Sequence, residues 1–213
     1  MKVKICGVRD LGNALICQQF NADFIGMNFV PGVNRKIDIL TAINISSEIK
    51  NIKKVGIFAD QSINEVLGII KKCNLDYVQL SGSETINYCA KIQLPIIKTI
   101  KINCDSTPNW IHDHIFPQLE NLLQKGIIPL IESSLPGFFG GTGVQLPPGT
   151  AKEVANNFDI ILAGGLNPLN VKNMINHIQP WGVDVASGVE INGYQDKYKI
   201  IEFISNAKSG DNE

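Results

Sequence analysis

Short apolar runs recur along this chain about 25 residues apart, the repeat length of a strand–helix unit. They read "VKIC", "FIGMNF", "KKVGIF", "DYVQL", "PIIKTIKI", "IIPLIE", "IILAGG" and "GVDVAS". Helical spacing fills the segments between them: "RDLGNALICQQF", "DILTAINISSEI", "SINEVLGIIKKC", "SETINYCAKI", "WIHDHIFPQLENLLQK", "GTAKEVANNF" and "NPLNVKNMINHI", with "DKYKIIEFISNA" after the last. Several runs are rich in Ile and Val throughout rather than alternating, the pattern of parallel strands covered on both faces. In the first run, Val3 and Ile5 alternate with Lys2 and Lys4. Eight strands alternating with eight helices predict an α/β fold, a single-domain (β/α)8 barrel over residues 1–207 with a frayed tail at 208–213. The competing open, doubly wound sheet carries G-x-G-x-x-G after its first strand, and "CGVRDLG" does not match. Asp60 or Ser62, Ser83, and Asn167 ahead of Pro168 are the expected helix N-caps.

Composition then excludes several function classes. The net charge is −1 with no basic block, so the electrostatic footprint of a nucleic-acid binder is missing. No apolar run is long enough to span a bilayer, and Arg9, Asp10 and Gln18 interrupt any signal-peptide core, so a cytoplasmic protein is expected. The cysteines (Cys6, Cys17, Cys73, Cys89 and Cys104) are odd in number and never spaced C-x-x-C, which suggests neither a disulfide framework nor a zinc site. His112 and His114, two apart, do not share a helix face, and their stretch with Trp110 reads as surface or interface packing.

A barrel of this kind gathers its chemistry in the loops at the carboxyl ends of its strands. Cys6 stands there after the first strand, Arg35 beyond the second, Asp60 after the third, Ser81 and Gly82 after the fourth, and Glu132 at the end of the sixth. Asp184 lies within the eighth. Cysteine is also among the most buried residue types, so Cys6 taken alone reads as a packing residue, and only its joint placement with the other groups points to chemistry. The last three strands are each followed by a glycine turn: Gly140, Gly141, Thr142 and Gly143; Gly164 and Gly165; Ser187 and Gly188. Glycine lets backbone N–H groups approach an anion closely, and late loops of a barrel recurrently hold phosphate, so a phosphorylated small-molecule ligand is expected.

"KICG" at 4–7, "VQLSG" at 78–82, "GGTG" at 140–143, "LAGGLNP" at 162–168 and "GVDVASGVE" at 182–190 together resemble the phosphoribosylanthranilate isomerase family of tryptophan biosynthesis. The resemblance runs from Lys4 to about Phe203 and implies a (β/α)8 enzyme, monomer or homodimer, working without metal or cofactor. It implies an Amadori rearrangement of N-(5-phosphoribosyl)anthranilate to the 1-deoxyribulose 5-phosphate derivative. In that scheme Cys6 is the general base, Arg35 holds the anthranilate carboxylate, Asp184 meets the anthranilate amine, and the glycine turns with Ser187 cradle phosphate. Two positions depart from the family pattern. Glu132 stands where the family has its general acid, an aspartate, and Ser81 replaces an active-site histidine. "VNR" also stands for the usual "SPR" around Arg35. Alternatives that keep the cradle are an isomerase of another phosphorylated aminosugar and a non-catalytic phosphate-ligand-binding barrel.

Overall fold

A computed structural model describes residues 1–134 and 145–209 of the chain. Eight parallel strands close into a barrel in sequence order: β1 (Lys2–Cys6), β2 (Phe24–Asn28), β3 (Lys53–Phe58), β4 (Tyr77–Leu80), β5 (Ile96–Asn103), β6 (Ile128–Ser134), β7 (Ile161–Ala163) and β8 (Gly182–Val185). Closure comes from β8 lying against β1, with Lys4 opposite Asp184. Each run singled out in the sequence is one of these strands, and the (β/α)8 expectation holds.

The outer layer is α1 (Leu11–Gln19), α2 (Ile39–Glu48), α3 (Ile63–Cys73), α4 (Ile86–Cys89), α5 (Pro108–His114), α6 (Phe116–Gln124), α7 (Pro148–Asn157), α8 (Val171–Ile178) and α9 (Lys197–Lys208). The segment expected as one helix from Trp110 is two, because Pro117 sits in the first turn of α6, where it has no N–H to donate and breaks the hydrogen-bond ladder. Two caps also fall elsewhere. Ser62 caps α3 as expected, but Thr85, not Ser83, caps α4; Ser83 donates from both N and Oγ to Asp60 instead. Asn170 occupies the N-cap of α8, while the Asn167 carboxamide accepts from the N–H groups of Leu169 and Asn170 in the turn just ahead. None of the described helices is long and apolar enough to cross a membrane.

An element absent from the sequence reading is the hairpin of β9 (Glu190–Ile191) and β10 (Tyr194–Gln195). Asn192 and Gly193 at its tip both have positive φ, 52° and 79°, as a two-residue primed turn requires.

Strand side chains alternate between faces, so each strand sends one set to the helices and one to the barrel interior. Val3, Ile5, Ile25 and Met27 belong to the main core beneath the helices. Phe24, Val55, Ile97, Leu130, Ile161 and Ala163 form a separate apolar cluster inside the barrel. The floor is closed by Lys208 of α9, which donates to the Met1 carbonyl at 3.0 Å and pairs with Asp23 at 2.6 Å. Above the interior cluster the same inward parity presents polar groups, and these build the site.

Candidate active site

At the carboxyl ends of the strands opens a cavity of about 1040 Å³ whose lining includes Cys6, Arg35, Ser81, Glu132, Gly165 and Asp184. Gly164 and Ser187 line it as well, and Gly188 stands behind Ser187 outside the lining. Gly140, Gly141, Thr142 and Gly143 lie outside the described residues.

Cys6 ends β1, and the chain turns at once through Gly7, whose φ of +77° favours glycine. A Cβ at Gly7 would come within 2.8 Å of Arg35 Cδ, so the absent side chain also makes room for the arginine stem. Two residues before Cys6, on the same interior face, Lys4 is 1% exposed and donates from Nζ to Asp184 Oδ1 at 2.8 Å. Its ammonium is also close enough to act electrostatically on the Cys6 thiol. The space for it comes from Gly26 on β2, where a Cβ would approach Lys4 Nζ to 3.2 Å. Burial works against the charge on Lys4, yet Asp184 and Cys6 hold its pKa above the ordinary lysine value. For Cys6 the balance falls the other way. Burial pushes the thiol up to about 11 although Lys4 and Arg35 oppose it.

Arg35 forks onto Glu190, with Nε to Oε1 at 2.7 Å and Nη2 to Oε2 at 2.8 Å. The two charges reinforce each other. Hydrogen bonds to Glu190 raise the guanidinium's pKa, and those from Arg35 hold the carboxylate below its usual range against the effect of burial. Glu132, inward on β6, lies opposite Lys101 of β5 and Ala163 of β7, near enough for its carboxylate to act on Arg35.

Ser81 belongs to an uncharged cluster. Its Oγ lies 3.0 Å from Thr99 Oγ1, and Gln79 Nε2 donates to it at 3.1 Å. The loop that carries Ser81 is held from behind by Lys98, which donates to the Gly82 carbonyl at 2.6 Å and pairs with Glu84 at 2.8 Å. On the opposite rim, Gly164 and Gly165 have φ of +91° and +66°, and the Gly165 carbonyl accepts from Gln145 Nε2 and Asn170 Nδ2. A Cβ on Gly188 would strike the Leu166 carbonyl, so the turns after β7 and β8 touch backbone to backbone. Two glycine turns thus abut beside Ser187. Trp110 stacks on His114 at 4.8 Å between ring centroids and lines the cavity while remaining partly exposed. Among the described residues no group of three or more His, Cys, Asp or Glu is placed to hold a metal.

The structure therefore gathers Cys6, Arg35, Ser81, Glu132, Asp184, Gly164, Gly165 and Ser187 at one mouth. Sequence reasoning missed Lys4, Glu190, Gln79, Thr99 and Lys98. Lys4, Gln79 and Glu190 lay inside the quoted motifs, and strand parity already put Lys4 on the face of Cys6.

The pattern described as N-(5'phosphoribosyl)anthranilate (PRA) isomerase matches residues 3–206. An N-(5'-phosphoribosyl)anthranilate isomerase of Dehalococcoides mccartyi is 37% identical over 215 residues, covering 99% of this chain and 97% of that one. The crystal structure of phosphoribosyl anthranilate isomerase from Thermotoga maritima superposes with a TM-score of 0.84 at 31% identity, covering 98% of this chain and 99% of the other. A crystal structure of the isomerase in complex with reduced 1-(o-carboxyphenylamino)-1-deoxyribulose 5-phosphate gives 0.81 at 30% identity, with the same coverage. With its motifs, its barrel and its relatives in agreement from end to end, the chain belongs to the N-(5'-phosphoribosyl)anthranilate isomerase family.

Proposed function

We propose that this barrel carries out the family's isomerisation in tryptophan biosynthesis with Cys6 as general base and Glu132 as general acid. The observation that supports this most is their presence at one mouth together with Arg35, an anchor suited to a planar carboxylate. Arg35 holds the anthranilate carboxylate. Gly164, Gly165 and Ser187 receive the phosphate, aided by Gly188 behind them and by Gly140, Gly141, Thr142 and Gly143. The relative solved with a reduced, phosphorylated product analogue supports a ligand of that kind.

Glu132 protonates the furanose ring oxygen, the C1–O bond breaks, and the anthranilate nitrogen's lone pair gives an iminium at C1. Cys6 then takes the proton from C2, producing an enolamine that tautomerises to the C2 ketone. Atoms and electrons balance within the substrate, so no redox partner enters. A neutral resting thiol is consistent with this order of events. The iminium brings positive charge beside Cys6, joins the Lys4 ammonium, and favours thiolate only once the ring has opened. Asp184 keeps Lys4 charged through Oδ1 and offers Oδ2 to the anthranilate amine. Ser81, with Thr99 and Gln79, supplies hydrogen bonds where the family has imidazole.

The test is fluorescence: phosphoribosylanthranilate generated in situ, with loss of anthranilate-type emission followed for wild type, Cys6→Ser and Glu132→Gln. Rapid loss with wild type and near-absence with both variants is expected. Wild-type rates in Cys6→Ser remove Cys6 from the chemistry, and wild-type rates in Glu132→Gln put the acid elsewhere.

A further inference from the structure

The geometry points to Glu190 as a positioning residue that aims Arg35 at the substrate's carboxylate. This inference rests on the assignment of Arg35 above.

A guanidinium has five N–H donors in a fixed fork. Glu190 takes the side-on edge, through Nε and Nη2, at 2.7 and 2.8 Å. Among the described residues the end-on edge, with one hydrogen each from Nη1 and Nη2, has no other hydrogen-bond partner and is open to a second carboxylate, and Arg35 lines the mouth. The two partners differ in burial: the Glu190 side chain is 7% exposed and that of Arg35 28%. The carboxylate is the fixed member and the arginine reaches from it towards the cavity.

Glu190 is itself held. It starts the hairpin β9–β10, its carbonyl accepts from Lys199 Nζ at 3.0 Å, and Gln195 opposite it donates to the Cys6 carbonyl at 3.0 Å. Arg9 ties the hairpin tip to the loop bearing Arg35, donating to the Gly193 carbonyl at 2.6 Å and the Asn34 carbonyl at 2.9 Å. The long, rotatable arginine is therefore ordered before substrate arrives, and binding is spared that ordering cost. An unsupported Arg35 would sample several rotamers and present its end-on edge only part of the time.

The test compares wild type, Glu190→Gln, Glu190→Asp and Arg35→Gln for kcat and KM by the fluorescence assay. It adds binding of an N-phenyl analogue of the product that lacks the carboxylate. Glu190→Gln is expected to raise KM about 10- to 100-fold, the equivalent of a charge-assisted hydrogen bond, with kcat nearly unchanged. Glu190→Asp keeps the charge on a shorter arm and should fall between wild type and Glu190→Gln. The analogue without a carboxylate should bind wild type and Glu190→Gln alike, which a collapsed hairpin would not allow.

An unchanged or lowered KM in Glu190→Gln overturns the inference, the lowered value meaning that Glu190 competes with substrate for Arg35. Equal loss of affinity for the two ligands overturns it as well. Should Glu190→Gln fail to fold, Glu190→Asp decides: KM at or below wild type overturns the inference, and a raised KM with kcat kept supports it. If Arg35→Gln leaves KM unchanged, the assignment of Arg35 is what fails. If Arg35→Gln raises KM and Glu190→Gln does not, only the positioning inference falls.

Discussion

Replacing Lys4 by Met tests whether the interior pair is ionised and load-sharing with the fold. Met fills nearly the same space without the charge, so packing against Gly26 is little disturbed. At the observed 2.8 Å, opposite unit charges attract by about 6 kcal/mol for an effective dielectric constant of ~20. Most of that offsets the cost of taking two ions out of water, so the pair contributes little net stability. The variant shows something different: Asp184, itself 7% exposed, is stranded without a counter-ion. Stranding a buried charge costs roughly 3–5 kcal/mol. At about 2–4 °C per kcal/mol for a chain of this size, Tm should fall by about 6–20 °C. Thermal unfolding followed by circular dichroism measures it. The double variant Lys4→Met/Asp184→Asn removes the stranded charge and should recover most of the loss. A fall under about 2 °C in the single variant, on this scale, or a double variant no better than the single, refutes the reasoning.

Three further outcomes are expected. In the ligand-free protein, iodoacetamide should label Cys6 slowly at neutral pH, with a rate rising about tenfold per pH unit towards a midpoint near 11, because only thiolate reacts; a plateau below pH 9, on the same argument, contradicts the burial argument, and Cys6→Ser supplies the background from the other thiols. Gly7→Ala forces a Cβ onto a left-handed residue and against Arg35, so a loss of about 1–2 kcal/mol and a raised KM are expected; wild-type stability and KM would show that the turn relaxes freely. Asp23 is opposed by burial but held below the usual carboxylate range by Lys208, Lys2 and the Val3 N–H. Its native state thus binds fewer protons than the unfolded chain, and its stabilisation is complete above the unfolded value of about 3.9 and lost as pH falls through the native one. Asp23→Asn should therefore destabilise at pH 7 and converge with wild type in acid; a pH-independent gap in urea midpoints is the contrary result.

The barrel was legible because its strands are buried on both faces and its helices punctuate them regularly. Those signals are local and strong. The same locality explains the errors. Pro117 marked a break inside an apparently continuous helix, and Asn192-Gly193 is a strong hairpin signal, yet the short flanks, two residues each, gave no alternation to notice. The mouth was legible as a set of strand-end positions, since Cys6, Arg35, Glu132 and Asp184 follow from counting strands. Their pairings were not. The alternation of Lys2 and Lys4 with Val3 and Ile5 marks a strand without saying what its polar face meets; in the closed barrel that face is the interior, and Lys4 meets a carboxylate 180 positions away. Likewise Glu190 and Arg35, 155 positions apart, become neighbours only after the barrel closes.

The seam between β1 and β8 also bears on how the protein is made. Translation delivers Lys4 180 residues ahead of its counter-ion. Throughout most of synthesis the nascent chain carries an ammonium group that has no dry place to go, and its first strand lacks a neighbour on one side. Closing so distant a contact is an inherently slow, late step. A chain stopped before Gly182 is therefore expected to keep β1 open to protease while its middle strands are protected, and a protected β1 in such a truncation would contradict this. For the ribosome, the strand that bears Cys6 is finished long before it is sealed.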